Sequence, residues 1–188
     1  MSGGIEGRRW PAELTFLLER HPRATWPAQE KRSVAFWLEV HEQLRRDSAG
    51  LAAAADDYRS GHTSAAQLAV IAAPRLRGLI ARMQGHHQIE DVEYFPAFRE
   101  AEPRLARGFD GLERDHAELE RRVNAALVTL GELHTAAQRD GHAGTHSPLA
   151  LAAQRYVASA ERLGEELAAH LLDEEDLVVP LLIEHEDY

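Results

Sequence analysis

HHQIEDVEYFP, residues 86–96, sets His86 and Glu90 four residues apart in a stretch that otherwise reads as a helix interior. Leucine would pack better at either position. Residues four apart are neighbours on one helix face, so this imidazole and carboxylate aim at the same point. A carboxylate buried there without a partner is very costly. The reading of the stretch therefore depends on whether the rest of the chain supplies partners.

Matching groups recur along the chain. His86-x3-Glu90-x5-Pro96 is repeated as His170-x3-Glu174-x5-Pro180, and His41-x2-Leu44 as His116-x2-Leu119. The chain reads as two helix pairs, each with a His helix followed by a His-x3-Glu helix. Strand signals are nearly absent, and alanine, leucine, glutamate and arginine dominate.

Four long helices are predicted. The first spans about 28–58, after the Thr25-Trp26-Pro27 start signal. The second spans about 64–99, with Ser64 and Gln67 as a capping box and a kink at Pro74. The third begins near Pro103 and ends near Gln138. RDGHAGTHS, residues 139–147, is a loop, and Ser147-Pro148 opens a fourth helix to about Glu186, with a kink at Pro180. Residues 11–20 suit a short extra helix.

Each long helix carries a stripe with steps of three and four. These read Val34, Trp37, His41, Leu44 in the first and Leu79, Met83, His86, Glu90, Tyr94 in the second. The third gives Phe109, Leu112, His116, Leu119, and the fourth Leu163, Leu167, His170, Glu174, Leu177. Such a stripe is the core-facing seam of a bundle helix. With short links favouring antiparallel neighbours, the expectation is an all-α, up-down-up-down four-helix bundle over residues 27–188 with an N-terminal extension over 1–26. At about 1.5 Å rise per residue, the four seam histidines fall roughly 20–24 Å from one common end, in one layer.

Composition excludes several functions. The 188 residues carry a formal charge of −10, which argues against nucleic acid and anionic membrane as partners. The absence of cysteine removes disulfides, thiolate ligands and cysteine nucleophiles. No stretch reads as a membrane span or signal peptide, so the expected location is cytoplasmic. Histidine is abundant, with 11 copies.

Four histidines and two carboxylates are too many ligands for one tetrahedral zinc. They suit two octahedral ions with bridging carboxylates. Mixed imidazole and carboxylate ligands favour iron or manganese in the cell, with zinc also able to bind. His87 lies 100° round the helix from His86 and is expected at the surface. Surface positions are also expected for His21, His62 and His185, and a solvated cluster for His134, His142 and His146. Asp173, Glu175 and Asp176 read as a solvated face, and Trp37, Met83, Tyr94 and Phe109 as core.

The motifs WLEVHEQL, HHQIEDVEYFP, RDHAELE and HLLDEEDLVVP over residues 30–186 resemble the hemerythrin-like family, the His-His-Glu cation-binding bundles. That resemblance implies two iron ions, oxo- or hydroxo-bridged, inside a four-helix bundle. By it, His41 and His86 would bind one iron, His116 and His170 the other, and Glu90 and Glu174 would bridge. Two positions depart from the oxygen-carrying members. Glu120 stands where they have a further histidine, and reads either as an additional ligand or as a seam residue that ligates nothing. Their last bridging acid falls at Glu175, whereas the internal repeat and the stripe favour Glu174. The expected function is a diiron protein that binds or senses dioxygen, peroxide, nitric oxide or iron. The alternative is a diiron enzyme that decomposes peroxide or oxidises ferrous iron.

Overall fold

The computed structural model describes residues 10–139 and 147–185. It is helical throughout, with no strand among the described residues. The elements are α1 (Phe16–Arg20), α2 (Arg32–Arg59), α3 (Ala65–Ile89), α4 (Phe95–Ala101), α5 (Ala106–Arg139) and α6 (Pro148–Glu184). Residues 140–146 and Glu186, where most of the predicted loop and the end of the fourth helix fall, lie outside the described residues, as do His142 and His146.

The starts of these helices follow local chemistry. The Ser64 N–H donates to Gln67 Oε1 at 2.7 Å, and the Gln67 N–H donates to Ser64 Oγ at 3.2 Å. This is the capping box expected from the sequence. Ser147 Oγ accepts from the Ala150 N–H at 3.1 Å and caps α6. α2 begins at Arg32 and not near Ala28, because Trp26-Pro27 closes a 3₁₀ turn over Arg23–Ala28. Pro74 lies within α3 and Pro180 within α6, and neither ends its helix.

The predicted second helix is more elaborate than one α-helix. Between α3 and α4 the chain makes a π-helical turn, Glu90–Tyr94, in which the Phe95 N–H reaches Glu90 O, five residues back. Pro96 follows at once and has no N–H to give, so the wide turn ends where a donor is missing in any case. Such single π turns inside helices occur frequently at functional sites.

The chain divides into two compact units. Among the described residues, the first comprises 10–42, 87–116 and 169–185, and the second 43–86, 117–139 and 147–168. The first unit has an aromatic-rich core of Trp10, Trp26, Trp37, Phe95, Phe98 and Phe109 with Leu17, Leu105, Leu112 and Leu181. The second is packed from leucine and alanine, including Leu68, Ala72, Leu76, Leu79, Val123, Ala126 and Leu163, around a single buried tyrosine, Tyr156. Ion pairs such as Arg82–Asp47 at 2.7 Å and Arg122–Glu166 at 2.7 Å lie on its surface, where each adds little stability.

The residues before α2 are part of the first unit's core. Trp10, Leu14, Leu17, Leu18 and Trp26 are all buried. The Trp10 indole N–H donates to Asp173 O at 2.8 Å, and its ring lies against Gly111, where an added Cβ would meet it at 2.7 Å. Gly111→Ala is therefore expected to displace the indole and cost about 1–3 kcal/mol, as overpacked cores do. Thermal melting with tryptophan fluorescence checks this; an unchanged melting temperature and emission would show that Trp10 is not seated there.

Candidate metal centre

The helices bring two groups of ligand-type side chains together, the donor atoms of each lying within 4.8 Å of one another. One group is His41, His86, Glu90 and Glu174; the other is His87, His116 and His170. His41 comes from α2, His86 and His87 from α3, Glu90 from the π turn, His116 from α5, and His170 and Glu174 from α6. No other group of three or more such residues occurs among the described residues.

The two carboxylates face both groups. Glu174 Oε1 lies 3.0 Å from His41 Nε2, and its Oε2 lies 3.2 Å from His170 Nε2. Glu90 belongs to the first group, yet its Oε2 lies 3.6 Å from His116 Nε2 in the second. Both carboxylates are fully buried. The Trp37 indole N–H donates to Glu174 Oε1 at 2.8 Å and fixes that carboxylate's rotamer.

Two of the imidazoles are hydrogen-bonded from behind by acids, and a third faces one. His41 Nδ1 pairs with Glu175 Oε1 at 3.0 Å and His116 Nδ1 with Asp91 Oδ1 at 2.9 Å, while His170 Nδ1 faces Asp115 Oδ2 at 3.8 Å. A carboxylate on one ring nitrogen fixes the tautomer that offers the other to a metal, and raises its basicity. The π turn contributes here: it carries Glu90 to the ligand side and, in the next residue, Asp91 to His116.

Electrostatics without a metal are correspondingly strained. Burial pushes the Glu90 carboxyl up, and nearby Glu174 pushes it further, well above the ordinary range. Burial alone would lower His41, but the carboxylates of Glu174 and Glu175 outweigh it and raise the imidazole to about 9. Burial also opposes charge on His170, and Asp115 and Glu174 reverse it, so its pKa is raised. For His116, burial and the neighbouring His170 dominate, and its pKa is lowered.

These shifts give a pH dependence with a definite sign. His41 titrates at about 9 in the fold against 6.5 as a free imidazole. Its stabilisation is thus fully present below 6.5 and is lost as pH rises through 9. His170 and Glu90, both raised, act in the same direction. The urea midpoint of metal-free protein is expected to fall from pH 6.5 to pH 9, and metal to reduce that fall, since ligands bind metal deprotonated. A midpoint that stays level or rises over that interval would contradict these assignments.

Of the sequence-predicted ligands, His41, His86, Glu90 and Glu174 come together in one group and His116 and His170 fall in the other. Glu120 is exposed and belongs to neither group. It follows Leu119, whose buried side chain takes the inward position of that turn, and so points outward. Two expectations are corrected. His87 is buried, and its ring stacks on His116 with centroids 3.9 Å apart and planes 7° from parallel. The inward arc of a packed helix is about 100° wide or more, so adjacent residues can both lie within it. The signal was present in the sequence, because His87 is four residues after Met83 on the same stripe. Glu175 likewise is buried and paired with His41, not solvated. Trp37, Met83 and Phe109 are core as expected, and His62 is exposed.

The donor set fits divalent metal. It offers imidazole nitrogen and carboxylate oxygen without sulfur, which suits iron or manganese and admits zinc. No helix among the described residues is long and apolar enough to cross a membrane. No curated protein and no solved structure matches the chain. Residues 32–182 match the family described as the hemerythrin HHE cation binding domain, and with most of its length inside that match the chain belongs to this family.

Proposed function

We propose that the chain is a non-haem diiron protein that binds or senses a small ligand, with dioxygen, peroxide or nitric oxide as the class. The observation that carries this reading is the placement of two buried carboxylates between two histidine groups, each carboxylate facing both. His41 and His86 would hold one ion, His87, His116 and His170 the other, with Glu90 and Glu174 shared. A bound iron pair would supply redox-active, coordinatively open sites for such a ligand. Short links and family membership support α2, α3 with α4, α5 and α6 running up-down-up-down as a four-helix bundle around the pair, preceded by an N-terminal extension.

The chain's own residues have separable tasks. Glu175, Asp91 and Asp115 orient the imidazoles. Trp37 holds Glu174, and with Phe95 and Phe98 it excludes bulk water from that side. Five imidazoles and two carboxylates supply little anionic charge, which favours divalent over higher oxidation states. An exposed Glu120 leaves the set less carboxylate-rich than an oxidase reading requires. The aromatic and aliphatic lining offers few groups to orient an organic substrate, which favours a diatomic ligand or peroxide.

The test is metal analysis and an optical spectrum of anaerobically purified protein, followed by rapid mixing with oxygen, nitric oxide and peroxide. A stable, reversible adduct is the expected result. Catalytic turnover of peroxide or of added ferrous iron would instead favour the enzyme.

A further inference from the structure

The segment before α2 lies outside the residues that match the family, yet it reaches toward the metal centre. Arg23 joins it to Glu175 on α6. Its Nη2 donates to Leu172 O at 2.8 Å, its Nε to Asp176 Oδ1 at 2.8 Å, and its Nη1 to Glu175 Oε2 at 3.5 Å. The other oxygen of that same carboxylate, Glu175 Oε1, lies 3.0 Å from His41 Nδ1. Arg23, Glu175 and His41 thus form a relay from an exposed guanidinium to a fully buried imidazole.

We propose that Arg23 is a positioning residue that acts through Glu175 to orient His41, making the segment before α2 a working part of the metal centre. Glu175 is nearly fully buried, and a buried carboxylate needs its second oxygen satisfied to hold one rotamer. The guanidinium supplies that while anchored at two other acceptors on α6, which fixes its own position. Loss of Arg23 removes one of the groups that hold Glu175 and so loosens the ring of His41. Orienting partners of this kind typically change metal affinity by about 10- to 100-fold. A separate anchor of the segment, Arg20 with Glu184 at 2.5 Å, is made at the far end of α6 and does not touch Glu175.

This inference rests on the diiron reading for its metal readout, and a second readout is independent of it. Dissociation constants for ferrous iron are measured anaerobically on the full chain, by chelator competition, for wild type, Arg23→Ala, Arg23→Lys and Arg20→Ala. Arg23→Ala is expected to weaken one of two binding steps about tenfold, Arg23→Lys to recover part of the loss, and Arg20→Ala to bind as wild type. In metal-free protein, the hydrogen-bonded imidazole N–H proton resonance of His41, assigned with Glu175→Gln, is expected to move upfield in Arg23→Ala and stay in place in Arg20→Ala. Wild-type affinity in Arg23→Ala, or equal losses in Arg23→Ala and Arg20→Ala, would overturn the proposal. If the wild type itself binds no iron, the diiron reading fails and the His41 resonance alone decides: its movement in Arg23→Ala supports the relay, and its constancy overturns it.

Discussion

Glu174→Gln is expected to reduce bound iron from two ions per chain to less than one. Glutamine keeps an oxygen to accept the Trp37 indole N–H, now 2.8 Å from Glu174 Oε1, so the local packing survives. What it removes is an anionic donor that faces His41 Nε2 on one side and His170 Nε2 on the other. Because that donor is shared, both positions weaken together. Glu174→Leu differs in one respect: it also strands the buried indole donor, at a cost of about 1–3 kcal/mol. Glu175→Gln should act on the His41 position alone and weaken it about tenfold, since Glu175 reaches the ions only through that imidazole. Elemental analysis and metal-free melting for these variants check the set. Full iron content in Glu174→Gln, or complete loss in Glu175→Gln, would exchange the roles of the two acids.

His87→Leu is expected to leave one ion per chain. His87 stacks on His116 and lies edge-on to His170 at 5.3 Å, and these three rings supply all the imidazoles of their group. Removing one of three should empty that position at micromolar iron, while the His41 and His86 side retains its ligands. Leucine is close in volume and the position is buried, so the metal-free fold is expected to persist. His62→Leu, at an exposed position, serves as the control. Two ions retained at wild-type affinity in His87→Leu would show that His87 is only packed against the centre.

Much of this arrangement was legible because helices report their inward faces by steps of three and four. The stripes through His41, His86, His116 and His170, and the repeat that pairs Glu90 with Glu174, identified the residues that the fold gathers. His87 was missed because a seam reading assigns one inward residue per turn, whereas a packed helix can turn two adjacent side chains inward. The π turn at Glu90–Tyr94 was not legible either. The second copy of the same His-x3-Glu-x5-Pro spacing, ending at Pro180, stays α-helical, so the motif alone does not encode the wide turn. The relay from Arg23 to Glu175 joins residues 152 apart in the chain. No periodicity within one helix points to it, and Glu175, next to Glu174, reads as surface until Arg23 and His41 are placed beside it.

The central claim is that the seven gathered side chains hold two ions at separate, carboxylate-linked positions. Anomalous diffraction at the iron edge from anaerobically iron-loaded crystals tests it most directly. Two peaks per chain are predicted, one among His41, His86, Glu90 and Glu174 and the other among His87, His116 and His170, with both carboxylates between them. A single peak, or none at these residues, would contradict it.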